Sequence, residues 1–298
     1  MSQTPLVFDR ALQRQRLARA ARLGPETFLL DRVAEDLADR LGAVKRRFAT
    51  ALDLGTPTDA LTRALAGHPA VDRLFAAAPL ARGLGARGPA VVADEEALPF
   101  APASLDLVVS ALALQGVNDL PGLLAQARRA LRPDGLFLAG FVGGSSLTEL
   151  RQAFAIAESE TTGGLSPRVA PFADVRDLGG LLQRAGFALP VADADRIVVR
   201  YSSPFTLFSE LRRMGAANAL VERRRVPLRR DTLLRAAEVY ATRFADPDGR
   251  LRATFDIVWL SGWAPHESQQ KPLAPGSARM RLADALGAPP PKAGESGA

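Results

Sequence analysis

Apolar residues recur at helical spacing over the first forty-odd positions and at strand spacing after that. Phe8, Leu12 and Leu17 predict a helix over 8–23, with Arg10, Arg14, Arg16, Arg19 and Arg22 assigned to solvent. Gly24-Pro25 breaks it, and Phe28, Leu30, Val33, Leu37 and Leu41 predict a second helix from Thr27 to about Leu41. Short apolar runs then alternate with helical segments. Strands are expected at 49–54, 71–77, 90–93, 104–111 and 136–141, helices at 59–65 and 123–131, a helical turn at 79–84, and a tight turn at Arg132-Pro133-Asp134-Gly135 before the fifth strand. Such alternation predicts parallel pairing with right-handed crossovers. Further on, helices are expected at 147–159, 175–185, 205–214 and 231–243, with strands at 196–201 and 254–260 extending the sheet. The Pro, Gly, Ala and Ser tail from Ala285 reads as disordered. The organisation expected is a helical lead (1–48), an α/β domain with helical insertions (49–284) and a tail (285–298).

Composition narrows the chemistry. A chain of 298 residues that is 47% hydrophobic can bury one sizeable core. With no cysteine, it has no disulfide, no thiolate nucleophile and no cysteine-ligated metal. The formal charge of +6 is carried by arginine, since the only lysines are Lys45, Lys271 and Lys292. No run reaches the ~18 apolar residues that a membrane-spanning helix needs. The arginine-rich start can lie on an acidic membrane surface or pack as a lid helix, and its thin apolar stripe favours the lid. It lacks the layout of a secretory signal, so a cytoplasmic protein with at most peripheral membrane contact, on the inner face, is expected.

The chain is organised around Ala49-Thr50-Ala51-Leu52-Asp53-Leu54-Gly55-Thr56-Pro57-Thr58-Asp59, an apolar run ending in an acid, a glycine turn, then helix-forming residues. A strand–loop–helix junction of this kind at the first strand of a parallel sheet is where nucleotide-like ligands bind. The loop itself is degenerate. Pro57 has a fixed φ and no N–H, so it can neither take φ > 0 nor donate to a ligand. One rim of the sheet is expected to carry Gly55, Asp94 and Ser110 together.

Taken together, Asp53 and Gly55, Ala93-Asp94-Glu95-Glu96-Ala97-Leu98-Pro99-Phe100, Leu105-Asp106-Leu107-Val108-Val109-Ser110 and Leu131-Arg132-Pro133-Asp134-Gly135 make the chain resemble a class I S-adenosylmethionine-dependent methyltransferase. Within that superfamily it is more similar to the complex I assembly factors described as arginine hydroxylases. This second resemblance rests on Phe8-Asp9-Arg10-Ala11-Leu12, Val117-Asn118-Asp119-Leu120-Pro121, Gly143-Gly144, Glu149-Leu150-Arg151, Gly163-Gly164-Leu165-Ser166-Pro167, Asp177-Leu178-Gly179, Gly262-Trp263 and His266-Glu267-Ser268-Gln269. It implies a doubly wound, mostly parallel seven-stranded Rossmann-like sheet with an N-terminal helical lead and helical insertions. The implied cofactor is S-adenosylmethionine, held by Asp53, Gly55, Thr56, Asp94, Glu95 and Ser110, with Asp94 and Glu95 near the adenine. Relative to the family, the glycine loop is Thr56-Pro57-Thr58, the ribose-binding acid is replaced at about Ala78, and a His-Trp pair is Gln115-Gly116.

Each candidate has two readings. Asp53 orients the methionine end of the cofactor or caps the following helix. Asn118 and Asp119 face the substrate, although Asp119 ahead of Leu120-Pro121 is also a good N-cap. His266 is a substrate-side acid–base group or a structural anchor of the C-terminal segment. A metal-dependent oxygenase needs about two histidines and a carboxylate on one face. The only histidines are His68 and His266, with His68 expected at the sheet edge opposite the cofactor loop, so no metal site is expected. The function expected is action on a protein substrate, a respiratory complex I subunit during assembly. The alternatives are a non-catalytic assembly chaperone on the same fold and an RNA-binding protein using Arg212-Arg213, Arg223-Arg224-Arg225 and Arg229-Arg230. Sparse aromatic interleaving argues against nucleic acid.

Overall fold

The computed structural model describes residues 6–81 and 88–270. Seven strands form one sheet in the order β3-β2-β1-β4-β5-β7-β6: β1 (Ala51–Leu54), β2 (Leu74–Ala78), β3 (Ala90–Val92), β4 (Leu105–Ala111), β5 (Leu131–Gly143), β6 (Ala188–Tyr201) and β7 (Leu251–Trp263). Every pairing among β1 to β5 is parallel, and β7 runs antiparallel to both β5 and β6. The helices among the described residues are α1 (Arg10–Leu23), α2 (Phe28–Gly42), α3 (Ala60–Ala64), α4 (Leu120–Ala130), α5 (Thr148–Thr162), α6 (Val175–Arg184), α7 (Pro204–Arg213) and α8 (Arg230–Arg243). None is long and apolar enough to cross a membrane.

The period-2 alternation of the strands sorts the core into two layers. Ala51, Leu107, Val109, Leu136, Leu138, Phe255 and Ile257 pack under α2, α5, α7 and α8 on one face. Leu52, Leu54, Val108, Phe137, Ala139, Val258 and Leu260 pack under α4 and α6 on the other. A one-residue slip would exchange the layers, so register is fixed wherever both faces are covered. On α2, Leu30, Val33, Leu37 and Leu41 are buried, each contributing about 1.5–3 kcal/mol. Gly140 admits this packing, because a Cβ there would sit 2.5 Å from the Trp259 ring and 3.0 Å from Val33.

Helix starts follow local chemistry. Asp9 accepts from Leu12 N at 3.0 Å, Asp119 from Gly122 N at 2.8 Å and Asp174 from Arg176 N at 2.8 Å. The turn expected at 132–135 is instead a bulge inside β5. Pairing jumps from Leu105–Leu131 to Leu107–Leu136 and Asp134 takes φ 64°, so the extra residues are absorbed without ending the strand. β6 and β7 also start well before their expected positions, and β6 pairs along β7 from Ala188 to Tyr201.

The helical lead does not form a separate unit. Among the described residues, one compact unit takes in the lead helices and runs to Pro265, and a second begins at His266. Part of the helical turn expected at 79–84, and the whole of the tail expected from Ala285, lie outside the described residues.

Candidate functional site

The loops that follow β1, β3 and β4 converge on Gly55. It takes φ 76°, a conformation that suits glycine, and a Cβ there would lie 2.9 Å from Ala113 Cβ and 3.1 Å from Glu95 Cγ. Its N–H donates to Ala77 O at 2.7 Å, tying the turn to β2. Asp53 and Thr56 are fully buried, Thr56 Oγ1 accepts from Ala111 N at 3.2 Å, and the Ser110 hydroxyl donates to Leu54 O at 2.7 Å. Thr56 and Ser110 therefore fasten β1 to β4 from below, while Gly55 and Glu95 line the cavity above. β2 ends at Ala78, which is buried, followed by Pro79. Pro57 forms part of the wall without closing the space, and α3 is only five residues long.

That space is a cavity of about 770 Å3, within the range of small-molecule pockets. Its near end is Gly55, Pro57, Thr58, Pro79, Glu95 and Ala113. The far end is apolar and aromatic, walled by Leu150, Phe154, Phe172, Phe205, Phe208 and Phe255 from α5, α7, β7 and the loop after α5. Phe208 stands 5.9 Å from both Phe154 and Phe205, edge-on to the latter. The loop after α5 is latched from behind. Buried Glu158 accepts from Ser166 N at 2.7 Å, from the Ser166 hydroxyl and from Arg168, whose guanidinium lies 5.9 Å from the Phe154 ring. Burial pushes the Glu158 carboxyl up, but Arg168 and the Ser166 hydrogen bonds outweigh it and hold the group below its ordinary value.

α1 covers the near end, and it corrects the expectation that Arg10 and Arg14 face solvent. Arg10 turns inward and pairs with Asp94 at 3.1 Å and with Glu95, with Glu96 at 3.8 Å, and it donates to Gly116 O at 3.1 Å. Arg14 pairs with Asp94. Burial pushes the Glu95 carboxyl above its ordinary value despite Arg10. Desolvation acts the same way on Asp94, where the Glu96 N–H, Arg10 and Arg14 prevail and hold it low. Gln13 sits against Gly116 so closely that a Cβ there would overlap its amide. Gly116 is thus the seat of the lid.

Asn118, expected to face a substrate, has another task, and Asp119 takes the helix-cap reading. Asn118 Oδ1 accepts from Val7 N at 2.9 Å and Phe8 N at 2.8 Å, and its amide donates to Phe8 O at 3.1 Å, clamping the segment ahead of α1. That segment also bridges residues 219–221 in antiparallel fashion. Asp119 caps α4. His266 lies in the second unit, exposed, with Nδ1 2.7 Å from Ser268 Oγ. His68 follows α3, its Nδ1 accepting from Ala70 N at 3.2 Å, at the edge of the sheet away from Gly55. Among the described residues no three His, Cys, Asp or Glu side chains gather as a metal site. Arg10, Gln13, Arg14 and the Phe wall escape a pattern-based reading. The one signal was two arginines and a glutamine at helical spacing interrupting an otherwise thin apolar stripe.

The strand order, the reversed β7 and the glycine rim define a Rossmann-like methyltransferase fold of class I, S-adenosylmethionine-dependent type. Residues 52–139 match the family model for a methyltransferase domain. The chain is 38% identical over 287 residues to the mitochondrial arginine-hydroxylase NDUFAF5 of Danio rerio, covering 93% of this chain and 89% of that one. It is 36% identical over 286 residues to the malonyl-[acyl-carrier protein] O-methyltransferase of Laribacter hongkongensis, covering 90% and 94%. The YcgJ protein of Bacillus subtilis shares the fold, with a TM-score of 0.53 at 14% identity over 77% of this chain and 98% of that one. The chain belongs, within the class I superfamily, to the family of the arginine-hydroxylase NDUFAF5.

Proposed function

We propose that the protein binds S-adenosylmethionine at the near end of the cavity and acts on a protein substrate, a subunit of respiratory complex I during its assembly, presented at the far end. The observation that carries this reading is the continuity of one cavity from Gly55 and Glu95 to the Phe154–Phe208 wall. Gly55 brings bare backbone to the wall, Thr56 and Ser110 fasten β1 to β4 beneath it, and Glu95 offers an acceptor for an adenine amino group, with Asp94 next to it but outside the cavity lining. Bound S-adenosylmethionine supplies an electrophilic methyl group, and positioning an acceptor in line with it can carry much of the catalysis. Two relatives support a macromolecular substrate: one is named an arginine-hydroxylase and the other a methyltransferase of a malonyl group on an acyl-carrier protein.

A second reading, a non-catalytic assembly chaperone on the same fold, is favoured by two observations. Arg10 and Arg14 already engage Asp94 and Glu95, and β2 ends on Ala78 with no carboxylate for the ribose. One missing charge-assisted hydrogen bond weakens binding by roughly 1.5–3 kcal/mol, about tenfold or more. Thermal melting with S-adenosylmethionine or its demethylated product separates the two. Ligand at a hundred times its dissociation constant stabilises the folded state by ~2.7 kcal/mol. A clear rise in Tm supports the cofactor reading, and no rise with either ligand supports the chaperone.

A further inference from the structure

On the flank of α1, turned away from the cavity, arginines outnumber acids in a way that neither the fold nor the lid requires. Arg16 is half-buried, its Nη1 is sealed from solvent, and that atom has no hydrogen-bond partner among the described residues. Its neighbours are Arg223 and Arg19, and the acid acting on it is Asp9. Asp9 is already engaged. It caps α1 through Leu12 N, pairs with Arg223 at 3.1 Å, and also lies in the field of Arg225. Arg223 donates in addition to Leu220 O at 2.7 Å. Glu222 is exposed and makes no ion pair among the described residues. Arg16, Arg223 and Arg225 therefore share one occupied carboxylate, and Arg19 adds its charge beside Arg16.

A guanidinium that gives up water on one side without gaining an acceptor is unfavourable. The positions are not random along the chain. Arg16 and Arg19 lie one turn apart on α1, and Arg223 and Arg225 follow the 219–221 segment that bridges back to residues 7–9. An anion seated here would touch both sides of the stitch that holds the lid. Planar guanidiniums match the oxygens of phosphate and carboxylate, and a local excess of three positive charges favours the more highly charged of the two. A phosphoryl group carries about −1.5 to −2 at neutral pH.

We propose that Arg16, Arg19, Arg223 and Arg225 form a phosphoryl-binding site on the outer flank of α1, and that the bound group pins α1 to the 219–225 segment. The site is separate from the cofactor rim and stands whether or not that rim binds S-adenosylmethionine. The test compares wild type with Arg16→Gln and Arg19→Gln by thermal melting, as inorganic phosphate replaces chloride at constant pH and ionic strength. Phosphate should raise the wild-type Tm by about 2–4 °C and leave Arg16→Gln unmoved, with Arg19→Gln between them. In chloride alone Arg16→Gln should melt at the same temperature as wild type or higher, since it removes a half-buried charge repelled by its neighbours. Equal phosphate shifts in wild type and Arg16→Gln, no shift in wild type, or a lower Tm of Arg16→Gln in chloride would each overturn the proposal. Sedimentation with phosphatidate vesicles, against phosphatidylcholine vesicles as control, identifies the source. Binding that Arg16→Gln abolishes makes it a lipid headgroup, and phosphate protection without vesicle binding makes it a soluble phosphate.

Discussion

The two ends of the cavity are built on opposite principles. At the near end, polar groups of α1 and of the loop after β3 lock together through charge: Arg10 and Arg14 against Asp94, Glu95 and Glu96. At the far end, aromatic side chains of α5, α7 and β7 form a mostly apolar wall, with Arg168 held at its edge by Glu158 and with Arg212 and Arg213 of α7 also lining the cavity. Ion pairs hold a lid in one orientation but lose much of their value if one partner is removed. Apolar walls tolerate varied occupants and lose stability by area. Under the proposed function, that difference fits recognition of a fixed, polar ligand at the near end and of a larger, less specified one at the far end.

Several perturbations set the two ends against each other. The largest effect belongs to Arg10→Ala. Arg10 and Glu95 are 16% and 5% exposed, and stripping one member from a buried pair costs about 3–5 kcal/mol. Urea unfolding should show that loss, and adding Glu95→Gln should recover part of it. If Arg10→Ala melts like wild type, the lid is not held by charge. At the far end Glu158→Ala should cost about 3 kcal/mol by the same mechanism, with Arg168 still able to rest on Phe154. Hydrogen exchange should quicken over the loop at 163–173 and stay unchanged in α1.

Gly116→Val disturbs the lid without touching a charge. Overpacking against Gln13 should cost about 1–3 kcal/mol and expose 7–23 to limited proteolysis, with the chamber helices still protected.

Acid should act on both ends. Asp94, Glu158 and Asp256 have folded values below the ordinary carboxylate range, in each case against desolvation and because of hydrogen bonds and arginine partners. Their stabilisation is present above the unfolded value and is lost as pH falls through the folded one. Glu95 has the opposite sign, since a carboxyl raised by burial is relieved by protonation. The acid limb of stability against pH should therefore flatten in Asp94→Asn and steepen in Glu95→Gln. The smallest effect is at the surface, where Arg32→Ala removes an exposed i,i+4 pair with Asp36 and should cost about 0.3–0.5 kcal/mol.

Much of the scaffold was legible because buried parallel strands and capped helices write themselves locally. The apolar run into Asp53 and Gly55, the pattern through Leu105 to Ser110 and the Asp119 cap needed no partner elsewhere in the chain. The lid was not legible in the same way. Amphipathicity sends arginine to solvent, and only carboxylates some eighty residues away turn Arg10 and Arg14 inward, at separations of 84, 85 and 80 positions. Asn118 misleads for a similar reason, since its amide serves a segment 110 residues earlier in the chain. The full extent of β6 was hidden because an edge strand with an exposed face carries little apolar signal: Leu189 and Val191 are themselves exposed and flank Pro190, exposed Asp193 and Asp195 follow, and antiparallel pairing with β7 defines the strand.

The account turns on one proposed competition at the near end, in which Arg10 and an adenine amino group donate to the same carboxylate, Glu95. Calorimetric titration of S-adenosylhomocysteine into wild type and Arg10→Gln tests it directly. The account predicts tighter binding by Arg10→Gln even though that variant is the less stable protein. Equal or weaker binding by Arg10→Gln would contradict it.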